Sequence, residues 1–350
     1  MVEYTPATGE TRVRFPDDAS LTKQIFDLDS VRLFLAMLPG AMLAGSQEQG
    51  RYPIEISPPD ITGHRAGNTG VDYTSVLDSG QPGPCVMVQA LTHGNEYCGA
   101  IALNWLISQR VALTKGKLVL SYANVEAFAR FEPSNPDRSR YVDEDMNRVW
   151  SDDVLMGDRD TVETRRARQL VPLVDAADYL LDIHSMHEAC SPIMVCGTSE
   201  KSVVFARKLG VPGDLLIDTG HPSGLRMIER GGFGDSTSPR VAVLIECGQH
   251  WERRAADVAI DTIVRFLEVT GIVQTGWAHK NRRVVPPERQ RLVRNALPRT
   301  TSSRSLAQTQ VRVTVPVVAR SMQFRFTGDY RGLEVCSVLR VPCYPYALAF

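Results

Sequence analysis

The sequence lacks the marks of several protein classes. None of its seven cysteines (Cys85, Cys98, Cys190, Cys196, Cys247, Cys336 and Cys343) stands in a CxxC pair. Their odd number and irregular spacing argue against a zinc knuckle or a secreted disulfide framework, so reduced thiols are expected. No stretch approaches the ~18 consecutive apolar residues of a membrane span. The start, Met1 to Thr5, shows no basic segment leading into an apolar run, and a cytoplasmic location is the expectation. An excess of one charge is missing too: 39 Lys and Arg against 40 Asp and Glu leave a formal net charge of −1. That balance argues against nucleic acid or an anionic membrane as a partner. There is no internal repeat and no low-complexity block.

What remains is a chain of 350 residues with near-average charge and hydrophobic content, long enough for roughly two domains at ~150 residues each. Residues 20–38 carry apolar positions at helical spacing. Short apolar runs bounded by turn residues predict buried strands at 85–90, 118–122, 179–183, 192–196, 215–217 and 241–245. Helical patterns lie between them, one after Glu96 with Ile101, Trp105 and Leu106 on one face and others at about 161–177, 200–209 and 255–267, with Pro172 expected to kink or break the second of these four. Nearly all-apolar strands alternating with helices predict a sheet covered on both faces. From about 280 the pattern alternates instead, as in Val311–Val315 and Met322–Phe326. The expected division is therefore an α/β domain over 1–278 and a small β-rich domain over 279–350.

The polar residues fall where such a sheet does its chemistry. His93 and Glu96 follow the first buried strand of this set, His184 follows the 179–183 run, and Glu246 follows the 241–245 run. Ligands of open α/β sheets bind at the carboxyl ends of strands. Two imidazoles and one carboxylate form a usual catalytic zinc set, and a further carboxylate can serve as the base. The plainer alternative is that each histidine is a hydrogen-bonded loop residue and that Glu246 pairs with an arginine. The conjunction of all four favours the metal.

Four segments, His93-Gly94-Asn95-Glu96, Asp145-Met146-Asn147-Arg148, Asp182-Ile183-His184-Ser185 and Glu246-Cys247-Gly248, occur in that order. Together they resemble the succinylglutamate desuccinylase/aspartoacylase family, a branch of the zinc carboxypeptidase-like superfamily. The resemblance covers roughly residues 80–270. It implies a three-layer α/β/α fold with a mixed eight-stranded sheet, one zinc ion per chain, and hydrolysis of an amide joining an acyl group to an amino acid. Residue by residue, it implies His93, Glu96 and His184 as zinc ligands. Glu246 becomes the carboxylate that activates water and then protonates the leaving amine. Asn147 and Arg148 would hold a substrate carboxylate, and Arg140 would polarise the scissile carbonyl. Arg226 is a further candidate for a carboxylate contact, and Tyr330 for an aromatic contribution from the C-terminal domain. A guanidinium binds a carboxylate through two parallel hydrogen bonds, so these residue types suit such a substrate.

The roles of His187, His221 and His250 stay open, with His187 a rival zinc ligand. Cys98, Cys190 and Cys247 read as packing residues. The expected function is a zinc-dependent deacylase for a small N-acyl amino acid bearing a carboxylate, in a chain able to form a homo-oligomer. A carboxypeptidase acting on peptides is the alternative. A catalytically silent binding protein on the same fold is disfavoured, because all four catalytic positions are filled.

Overall fold

The structure is a computed structural model that describes residues 52–294, together with the backbone of six strands outside that range. By its contacts the chain divides into two units, 52–298 and a second one that joins 1–51 to 299–350. In the second unit, β1 (Val2–Thr5) pairs antiparallel with β2 (Glu10–Val13), and β2 meets a strand from the far end of the chain, β11 (Arg312–Thr314). The division expected at 278/279 counted the first residues with the α/β part. Strand pairing between distant segments leaves no mark in local composition, so that grouping was not readable from either segment alone. The helical pattern expected over 20–38 and the side chain of Tyr330 lie outside the described residues.

The larger unit is built on a mixed eight-stranded sheet. Its strands are β3 (Thr74–Asp78), β4 (Cys85–Ala90), β5 (Lys117–Tyr122), β6 (Tyr179–Met186), β7 (Ile193–Val195), β8 (Asp214–Ile217), β9 (Val241–Gln249) and β10 (Arg291–Arg294). The order is β10-β8-β7-β9-β6-β4-β5-β3. The four central strands β9, β6, β4 and β5 run parallel, while β3 and β7 are antiparallel to their neighbours β5 and β9. β10 extends the sheet beyond residue 279, where a join between domains was expected.

Successive strand residues feed opposite faces, which explains why these strands read as unbroken apolar runs. Val86, Val88, Leu181, Val243 and Ile245 pack on one face against α1 (Cys98–Ser108), α5 (Glu200–Leu209) and α6 (Arg253–Val269). Met87, Val119, Leu180, Ala242 and Leu244 pack on the other against α4 (Val162–Ala176), which follows the short α2 (Val125–Phe128) and α3 (Asp152–Met156). The result is three layers, as the resemblance implied. α4 runs unbroken through Pro172, held at its start by the Thr161–Thr164 capping box. Among the described residues no helix is long and apolar enough to cross a membrane, and the five described cysteines are free thiols.

Candidate functional site

Parallel strands side by side put their carboxyl ends together. β4 pairs with β6 through Ala90↔Ile183, and β6 pairs with β9 through His184↔Glu246. His184 and Glu246 are thus direct neighbours on one face, inside their strands rather than just after them. His93 and Glu96 arrive by a turn beyond β4. That turn starts at Leu91, a buried non-glycine residue at φ 61°, a conformation that costs of order 1–3 kcal/mol. It is held there by the Ala123 and Asn124 amides, which donate to the Ala90 and Leu91 carbonyls at 2.8 and 2.7 Å. Gly94 follows because the backbone of Ala127, Phe128 and Ser139 comes too close for a side chain. A Cβ there would sit 2.4 Å from each.

One ligand atom each from His93, Glu96 and His184 lies within 4.8 Å of the other two, and all three residues are buried. Both imidazoles turn Nδ1 toward Glu96: His93 Nδ1 is 2.8 Å from Oε1, and His184 Nδ1 is 2.9 Å from Oε2. Each holds its other nitrogen against a carboxylate. His93 Nε2 is 2.8 Å from Asp145 Oδ1, and His184 Nε2 is 2.8 Å from Asp182 Oδ2. Asp182 is itself fixed by the Thr92 hydroxyl, which donates to Oδ1 at 2.8 Å. With a metal bound, the carboxylates behind the histidines would set the tautomer that turns the Nδ1 lone pairs to the ion and would raise ligand basicity. Two imidazoles and a carboxylate aimed at one point fit a zinc ion.

The electrostatics follow from burial and pairing. Burial works to raise Glu96, but the two imidazoles outweigh it and hold this carboxyl well below the usual range. Asp145 is depressed too, because His93, Arg148 and Arg140 overcome its own burial. His184 is pushed well up by Asp182 and Glu96 against the opposing effect of burial. Glu246 goes the other way. Burial raises it well above an ordinary carboxylate, and its Oε2 is buried without a hydrogen-bond partner.

The polar segment 132–148 wraps the open side. Its shape is set by Glu163 at the start of α4, a fully buried carboxylate that accepts from the amides of Val142, Asp143 and Glu144 at 2.7, 3.1 and 3.2 Å. Arg140 reaches in from this segment. Its Nη1 donates to Glu96 Oε1 and its Nη2 to Asp145 Oδ2, both at 3.2 Å. Asn147 accepts at Oδ1 from the Met227 amide at 3.2 Å. Arg148 donates to the Asn147 carbonyl at 2.7 Å and lies 3.7 Å from Asp145 Oδ2. The structure therefore brings Arg140, Asn147 and Arg148 to the rim of the His–Glu–His cluster.

Arg226 is held differently from the sequence expectation. Its Nη1 and Nη2 donate to Asp218 at 2.9 and 2.6 Å, and Nη2 also pairs with Glu229. With both terminal nitrogens already engaged, it serves as the buried centre of an ion triad. The triad shapes the loop that packs on Arg148, where a Cβ on Gly224 would lie 2.1 Å from the Arg148 carbonyl oxygen. His221, on the same loop, is exposed. His187 does not join the first cluster but lies beside Asp137 and His250. Burial pushes the Cys247 thiol well up, in keeping with packing rather than a nucleophilic role, whereas Cys190, also expected to be a packing residue, is exposed. Sequence reasoning missed Asp145, Asp182 and Glu163 as working residues. The first two stood in the quoted motifs, whereas nothing local marks Glu163, whose role depends on a loop some twenty residues away.

The three-layer α/β unit and the two-histidine, one-glutamate donor set beside its strand ends define an α/β protein with a candidate metal-binding centre. Residues 82–265, just over half of the chain, match the succinylglutamate desuccinylase/aspartoacylase catalytic domain. The chain belongs to this family of hydrolases. Among solved structures it is similar to a succinylglutamate desuccinylase from Silicibacter sp. TM1040, at 18% identity over 76% of this chain and 79% of that one, with a TM-score of 0.47. It is similar to the succinylglutamate desuccinylase from Chromobacterium violaceum at 14% identity, over 69% and 80% of the two chains, with a TM-score of 0.48. The product-bound ectoine utilization protein EutE (DoeB) from Ruegeria pomeroyi shares 17% identity over 77% and 81%, with a TM-score of 0.47. No curated protein sequence matches the chain.

Proposed function

We propose that this chain is a zinc-dependent amidohydrolase that removes the acyl group from a small N-acyl amino acid. The observation that supports this reading best is the convergence of the His93 and His184 Nδ1 atoms on Glu96, each ring held from behind by its own carboxylate, next to the unpartnered Oε2 of Glu246. His93, Glu96 and His184 would hold the ion. Zinc bound there supplies a Lewis acid that polarises a carbonyl and makes a water more acidic.

The chain's own residues carry the rest of the proposal. Glu246 is the proton carrier: as a carboxylate it accepts a proton from the attacking water, and as an acid it passes that proton to the departing amide nitrogen. Burial that raises its proton affinity suits both halves of that task. Arg140 brings a fixed positive charge to the oxygen that becomes negative as the carbonyl is attacked, an effect worth about 3–4 kcal/mol per donor in other enzymes. Asn147 and Arg148 orient the substrate through its carboxylate. Arg226 keeps their loop in place rather than touching substrate.

The test is a hydrolysis screen over N-acetyl, N-succinyl and bulkier N-acyl amino acids, read as release of free amine and run beside a panel of short peptides. The expected result is turnover of at least one acyl amino acid, abolished by a chelator and by His93→Ala. Release of C-terminal residues from peptides, with every acyl amino acid left intact, would instead favour a carboxypeptidase and sink this proposal.

A further inference from the structure

A second group of metal-ligating side chains lies outside the cluster described above. Asp137, His187 and His250 each offer one ligand atom, and these atoms lie within 4.8 Å of one another. Three separate elements supply them. Asp137 stands in the short turn Pro136–Ser139, His187 is the first residue past β6, and His250 is the first residue past β9. The adjacency of β6 and β9 puts both histidines at one edge, with ring centroids 6.1 Å apart. His187 Nδ1 lies 3.1 Å from Asp137 Oδ1.

His250 is the fixed member. It is buried, and its Nδ1 is 2.9 Å from the Ser185 hydroxyl. The tautomer in which Nδ1–H donates to that oxygen leaves the lone pair on Nε2. Asp137 is exposed and His187 half-exposed, so an ion reaches them from solvent. Zinc–nitrogen bonds of ~2.0–2.1 Å put tetrahedral ligands roughly 3.4 Å apart. The two exposed side chains can make the small contraction this requires. Calcium and magnesium prefer all-oxygen shells, whereas two imidazoles and one carboxylate suit zinc and its transition-metal neighbours.

We propose that Asp137, His187 and His250 form a second, solvent-open zinc site, distinct from that of His93, Glu96 and His184. Ser185 lies between the two, its amide donating to Glu96 Oε2 at 3.2 Å and its hydroxyl meeting His250. An ion at the second site would also tie down the turn that leads directly into Arg140, and through it the guanidinium that touches Glu96.

The experiment uses the full chain, stripped with a chelator and titrated with zinc alone by calorimetry, with bound metal counted by atomic emission. The parent should take up two equivalents, one tighter than the other. His187→Ala and Asp137→Asn should each weaken the looser equivalent at least tenfold while keeping the tighter one. His93→Ala should do the reverse. Both rim substitutions are at the surface, and matching melting temperatures of the metal-free variants and parent check that they fold. A single equivalent in the parent, or two undiminished equivalents in His187→Ala and Asp137→Asn, would overturn the proposal. Neither result depends on which substrate is hydrolysed.

Discussion

Replacing Glu246 with Gln changes one oxygen to a nitrogen at the place where β6 and β9 put this residue directly beside His184. The side chain keeps its size but loses the capacity to accept and return a proton. General acid–base catalysis contributes typically 10²–10⁴-fold, so kcat should fall by at least about 10²-fold, or roughly 3 kcal/mol of barrier. Zinc affinity should stay close to that of the parent, since His93, Glu96 and His184 are untouched. The same substitution has a second consequence, for stability. In the metal-free protein Glu246 is raised by burial, and its Oε2 is buried with no partner. A buried group left unsatisfied costs about 1–3 kcal/mol.

Because the folded pKa lies above the unfolded one, the folded state holds a proton that the unfolded chain gives up as pH rises through its ordinary carboxylate range. The parent therefore loses stability with rising pH from about 4.5 upward until the folded value is passed. The Gln variant has no such loss. Its melting temperature should match or exceed the parent's near pH 4, and the gap should widen toward neutral pH. At about 2–4 °C per kcal/mol for a unit of this size, several degrees are expected. Steady-state kinetics, zinc calorimetry and a pH series of thermal melts of the stripped proteins measure all three effects. Parental kcat would refute the catalytic argument. A variant less stable than the parent at neutral pH, or a gap that does not change with pH, would refute the argument from burial.

Asp182→Asn removes the charge behind His184 while leaving an oxygen that can still accept from Nε2, so zinc should bind about 10–100-fold more weakly with the fold intact; unchanged affinity in a competition assay against a chelator would remove Asp182 from the metal's support. Arg148→Lys keeps the charge but gives up the planar two-pronged geometry, so KM for a carboxylate-bearing substrate should rise about tenfold with kcat less affected. An unchanged KM would mean that Arg148 does not bind the substrate carboxylate.

The strands of the large unit were legible because a sheet covered on both faces demands unbroken apolar runs, and Cys85–Ala90 and Val241–Ile245 have them. The strand-end positions of His93, Glu96, His184 and Glu246 followed from the same runs, and their order along the chain was enough to suggest the family. What only the tertiary structure decided is which groups meet across the chain. Asp145 meets His93 across 52 residues through the path of the 132–148 segment, and Asp182, two residues from His184 on the same strand, is fixed by the Thr92 hydroxyl from beyond β4. Arg226 read as a candidate for a carboxylate contact, and in the fold its terminal nitrogens pair with Asp218 and Glu229. His187 read as a rival ligand three residues from His184. It falls just past the end of β6, beside Asp137 and His250 and outside the first cluster. Local sequence determines which face of an element is apolar. The partners of a buried charge are chosen by segments far away in the chain, and no local pattern records that choice.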